Sequence, residues 1–106
     1  MKLINTAFRE NEEISWQDLE NLLKEGIYEE EFLVLSDSKH PDYVQIAEIN
    51  GDFVVKVRLY MEDNKNFQHF KKHFDAAEDS IDIFKALYHD EALSYDDWED
   101  ISDQFN

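Results

Sequence analysis

Apolar and polar residues alternate along Tyr43 to Tyr60, YVQIAEINGDFVVKVRLY, on either side of Asn50-Gly51. Asn-Gly between two β-rich runs predicts a two-residue hairpin, because a type I′ turn needs φ > 0 at both central positions. That loop sets Ile49 opposite Asp52, Ala47 opposite Val54, Ile46 opposite Val55 and Val44 opposite Val57. One face then carries Val44, Ile46, Phe53, Val55, Val57 and Leu59, and the other carries Tyr43, Gln45, Lys56, Arg58 and Tyr60. The pattern describes a sheet with one face in a core and the other partly wet.

Upstream, Lys2 to Phe8 alternates loosely, as an edge strand or an arm would. Ser15 then places a capping hydroxyl three residues before Asp18, and Trp16, Leu19, Leu22 and Leu23 share one helical face up to Gly26, a helix-stopping residue. Phe32 to Leu35 reads as a strand, and Ser36 to Pro41 as a loop. After a polar turn over Met61 to Asn66, Phe67 to Phe74 fits either a helix or a strand. The strand is preferred, because Asp75 to Glu78 immediately reads as a fresh helix start. Asp75 to His89 carries Ala77, Ile81, Phe84 and Tyr88 at helical spacing. Trp98, Ile101 and Phe105, following Ser94 as a cap, predict a short terminal helix. Residues 1–106 are thus expected to form one α+β domain, with a four-stranded antiparallel meander built around the Asn50-Gly51 hairpin and helices on one face.

Composition narrows the class. The chain is 106 residues long and 42% hydrophobic, which suits a single packed core. It has no cysteine, so disulfides and thiolate metal sites are excluded. No apolar run approaches the ~20 residues that span a bilayer, and MKLINTAFRENEE turns acidic too soon for a leader peptide. A cytoplasmic protein, monomeric or weakly dimeric, is the expectation.

Charge changes the picture more. The formal net charge is −16. Glu10 to Glu31 holds nine acids against Lys24, and Asp75 to Asp103 holds eleven against Lys85, whereas Lys39 to Phe74 has six Lys/Arg against five acids. A near-neutral sheet is therefore flanked by two strongly acidic segments. Such a field repels nucleic acid and anionic membranes and attracts basic proteins.

Chemistry-bearing constellations are sparse. His69 and His73 stand four apart, but with neither a cysteine nor a third histidine at useful spacing they read as surface histidines, and no metal or other cofactor is expected. Glu48, opposite Phe53, is the sole acid on the apolar hairpin face, yet it lies two residues from the turn, where side chains reach water. With two glycines there is no phosphate-binding loop, and an enzyme is the least favoured class. The aromatic and basic face of Tyr43, Lys56, Arg58 and Tyr60 could stack bases, but two cations funnel a polyanion poorly in so acidic a chain. The strongest candidate surface is acidic. Tyr95 and Trp98 stand among Asp96, Asp97, Asp100 and Asp103, combining aromatic anchors with carboxylates that steer a cationic partner. Glu29, Glu30 and Glu31 add a second acidic cluster. The plainer alternative is that Trp98 packs in the core and the acids are a solvated face.

The hairpin YVQIAEINGDFVVKVRLY, the strand and helix that follow it through DAAEDSIDIFKALYHDE, and the acidic WED near the end resemble small cytoplasmic immunity proteins of bacterial polymorphic and contact-dependent toxin systems. The resemblance covers Phe32 to Glu99 in layout and rests on no diagnostic motif. It implies a non-enzymatic protein that binds a cognate toxin domain, often a basic nuclease, and blocks its active site. It brings no shared binding residues, so the acidic residues named above come from the sequence itself. Two other classes fit the same features: a small acidic chaperone or adaptor for a secreted effector, and a nucleic-acid mimic that inhibits many DNA-binding proteins.

Overall fold

The Asn50-Gly51 hairpin forms as its turn chemistry requires. The computed structural model describes residues 2–7, 9–25, 32–60 and 66–102. Asn50 and Gly51 take φ of 52° and 88°, and the strands β4 (Tyr43–Ile49) and β5 (Asp52–Tyr60) pair in the expected register, Ile49 with Asp52 through Val44 with Val57.

Among the described residues the sheet around this hairpin has seven strands rather than four. In chain order the others are β1 (Lys2–Thr6), β2 (Glu12–Glu13), β3 (Phe32–Asp37), β6 (Phe67–Phe74) and β7 (Glu99–Asp100). Their spatial order is β2-β1-β3-β4-β5-β6-β7, antiparallel throughout. Lys2–Thr6 is therefore a strand, one of the two forms its alternation suggests, but an interior one between β2 and β3 rather than an edge strand or an arm. The strand reading of Phe67–Phe74 holds.

The register writes out the two faces. One row runs Ile4, Leu35, Val44, Val57, Phe70, and the next runs Thr6, Leu33, Ile46, Val55, Lys72. On this face Ile4, Leu33, Ile46, Val55 and Val57 are fully buried, against Leu19 and Leu23 of α1 (Trp16–Glu25) and Phe84 of α2 (Ile81–Tyr88). Burying such aliphatic side chains contributes about 1.5–3 kcal/mol each, which makes this layer the source of the fold's stability. The described helices are thus packed on one face, as expected.

One helix start is as predicted and two are not. Ser15 Oγ accepts the Asp18 amide at 3.2 Å, so α1 is capped as its sequence implies. Gly26, Phe105 and the Met61–Lys65 part of the predicted turn lie outside the described residues. The second helix does not start at Asp75. A 3₁₀ turn over Ala77–Ser80 precedes α2, and its N-terminus has no side-chain cap. Among the described residues, the start of the predicted terminal helix is a turn and a short strand instead. The Trp98 amide donates to the Tyr95 carbonyl in a turn, Glu99 and Asp100 then pair with Lys71 and Phe70, and the Ile101 amide donates to the His69 carbonyl. The backbone of β6 at the sheet edge offers these donors and acceptors partners, and pairing with them outweighs a short helix with few internal bonds. Among the described residues no helix is long and apolar enough to cross a membrane.

Candidate functional site

The predicted acidic surface is divided by the turn that carries it. Trp98 is buried, with Phe74 and Tyr95 at its ring edges and Lys72 above it. Tyr95 is half-buried and stacks on Phe70 with ring centroids 4.6 Å apart. Neither ring is a free surface anchor; together they fasten the turn to the sheet. The carboxylates between and beyond them, Asp96, Asp97, Glu99 and Asp100, are exposed. Lys72 bonds Asp97 and holds its carboxyl below the usual range. The Ser102 hydroxyl and amide, at 2.6 and 2.9 Å, do the same for Asp100. Glu99 lies 3.9 Å from Lys71, and Asp96 has no ion pair among the described residues. Asp103, Glu29, Glu30 and Glu31 lie outside the described residues.

A second feature was invisible in the linear pattern. At one end of the helix-bearing layer, between the sheet and the segment leaving α2, lies a cleft of about 510 Å³. Its apolar lining includes Leu35, Val44, Leu59 and Leu87, and its polar lining includes Lys2, Asp37, His40, Asp42, Asp90, Glu91 and Tyr95. Lys2 and Asp37 are cross-strand partners on the inner face, with Nζ and Oδ2 3.0 Å apart; Asp90 Oδ1 accepts from the same ammonium at 2.6 Å. Burial works against the Lys2 charge, but Asp90 and Asp37 outweigh it and raise its pKa. The Asp37 carboxyl drops to about 2, mainly because it accepts the Lys39 amide, with Lys2 adding to the effect.

Asp90 reaches Lys2 through the way α2 ends. The Glu91 amide donates to the Ala86 carbonyl at 2.7 Å and the Asp90 amide to the Leu87 carbonyl at 3.3 Å, a Schellman closure with Asp90 at the left-handed position, φ 57°. Glycine is the usual residue there. The closure turns the chain back over the sheet end, and Tyr95 completes that side of the cleft. Burial pushes the Tyr95 phenol up to about 12, and the nearby Asp42 carboxylate adds to the shift, so the hydroxyl stays a donor throughout the physiological range.

The other face of the sheet is cationic and aromatic. Its rows run Val34, Gln45, Lys56, Lys71 and Ser36, Tyr43, Arg58, His69. The Arg58 guanidinium lies 4.0 Å from the Phe67 ring centre and 5.4 Å from that of Tyr43, and its Nε donates to His69 Nδ1 at 3.0 Å. His69 is not a surface histidine. It is 2% exposed, and burial, reinforced by Arg58 and Lys56, lowers its pKa to about 4. His73 is exposed two positions along the same face, and Glu48 is exposed beside the hairpin turn. Among the described residues no three His, Cys, Asp or Glu side chains form a group able to hold a metal.

No family model, curated protein or solved structure matches the chain.

Proposed function

We propose that this chain is an inhibitor that binds and neutralises a basic protein, in the manner of an immunity protein facing a cognate toxin domain such as a nuclease. Its carboxylates would stand in for nucleic-acid phosphates on the partner's Lys/Arg surface. One observation carries the reading: the Asp96 to Asp100 turn sets four exposed carboxylates on a base held by buried Trp98, stacked Tyr95 and pairing of β7 to β6. Carboxylates on an immobilised backbone lose little further conformational freedom on binding, so more of their interaction energy reaches the complex. The same layer carries exposed Asp18, Glu78, Asp79 and Asp82, which extend the negative field and speed encounter with a cationic surface.

The decisive experiment passes lysate of the native host over the immobilised protein at low and then high salt. A single basic protein that survives moderate salt supports the reading. It should lose affinity, by roughly tenfold or more, when Asp96, Asp97 and Asp100 are changed together to Asn. Many basic proteins released together by salt would sink it, as would a retained partner indifferent to the triple variant.

A further inference from the structure

We propose that the cleft at the sheet end binds an arginine side chain presented by another polypeptide. The guanidinium would be held among the Asp42, Asp90 and Glu91 carboxylates, and the aliphatic stem laid on Leu59 and Leu87. The proposal goes beyond the inhibitor reading, because it stands on the cleft alone and uses none of the acids of the Asp96 to Asp100 turn.

Size and lining come first. About 510 Å³ lies within the ~300–1,000 Å³ of small-ligand pockets, and a lining that combines aliphatic and charged side chains suits a ligand with an apolar stem and an ionic head. Charge then selects the head. Four carboxylates, Asp37, Asp42, Asp90 and Glu91, line the cleft against two basic side chains, His40 and Lys2, and the Lys2 ammonium is already held by two of the four. An anion would meet a surplus of like charge. A neutral apolar group would strip water from carboxylates without replacing their hydrogen bonds. Only a cation satisfies both parts of the lining.

Shape favours arginine over lysine. A planar guanidinium offers five donors in a fixed fork and can engage several carboxylates at once, and it also stacks on aromatic rings such as Tyr95. The elements that build the cleft are secured without the ligand. Asp42 Oδ1 accepts the Tyr60 amide at 2.7 Å, and the Schellman closure fixes Asp90 and Glu91. The site is therefore formed before anything enters it.

The test is an amide-resolved NMR titration of the full chain with acetyl-Gly-Arg-Gly-amide, its citrulline counterpart and spermidine. The arginine peptide should give saturable shifts at Leu59, Leu87, Asp90 and Tyr95. The citrulline peptide, equal in shape but uncharged, should bind about tenfold more weakly or not at all. Glu91→Gln, at an exposed position with no ion pair among the described residues, should weaken the arginine peptide about fivefold while leaving the fold's spectrum intact. Equal responses to arginine and citrulline would overturn the proposal, as would shifts confined to the Asp96 to Asp100 turn. A cleft response to spermidine with none to the peptide would overturn the polypeptide source. The triple Asn variant that tests the inhibitor reading leaves this titration unchanged, so the two can fail separately.

Discussion

Lys56 and Lys71 stand directly opposite one another in the β5–β6 ladder, on the sheet face away from the helices. Like charges at opposed positions repel, and Lys56 has no ion pair among the described residues, while Lys71 has only Glu99 at 3.9 Å. Changing Lys56→Glu replaces this repulsion with a cross-strand ion pair, and stability should rise by about 0.5–1 kcal/mol. Urea denaturation at low ionic strength measures it. A midpoint that stays put or falls would mean that the two ammonium groups already avoid each other at no cost.

At the hairpin, Gly51 has φ of +88°, and a Cβ built there meets nothing within 4 Å. The cost of Gly51→Ala is therefore conformational alone, about 1 kcal/mol, with no added clash. Gly51→Asn should cost less, since asparagine tolerates the left-handed region better. Equal loss for both variants in thermal unfolding would show that sterics, not φ, dominate at this corner.

Trp98 tests whether the acidic turn rests on the core. Buried between Phe74 and Tyr95, it should cost about 3–5 kcal/mol when changed to Ala and much less when changed to Phe. Hydrogen exchange at the Ile101 amide, which bonds the His69 carbonyl, should accelerate in parallel as β7 loosens. A Trp98→Ala protein as stable as the wild type would return Trp98 to the surface as an anchor.

How much of this was readable from the chain follows from the range of each interaction. The hairpin register was legible because Asn50-Gly51 dictates it locally. β7 was not, since two residues carry no period, and Trp98 and Ile101 share a spacing that suits a helix equally well. Lys2 to Phe8 read as an edge strand or an arm because the longer of β1's two partner strands begins at Phe32, with α1 in between. The cleft was wholly hidden. Lys2 and Asp90 are 88 residues apart in sequence, and only folding gives them a common ammonium–carboxylate contact. His69 read as a surface histidine, because its burial depends on Arg58, Tyr43 and Phe67 closing around it, which no spacing encodes.

That burial makes stability depend on pH in a defined window. His69 Nδ1 accepts from Arg58, so the ring is neutral with its proton on Nε2, and protonating Nδ1 would break the contact. Its folded pKa of about 4 lies below the ordinary 6.5, so the unfolded chain binds a proton first as pH falls. The neutral ring's contribution is complete above pH 6.5 and is lost progressively as pH falls through 6.5 towards 4, with a slope of at most roughly 1.4 kcal/mol per pH unit. Asp37, depressed to about 2 from 3.8, acts in the same direction but only below pH 3.8, so the two groups do not overlap. His69→Gln should flatten the stability profile between pH 6.5 and 4 relative to wild type, even if it lowers stability at every pH. Parallel profiles for the two proteins, measured by urea melts across that range, would mean that His69 titrates alike in the folded and unfolded chain and that neither burial nor Arg58 holds it neutral.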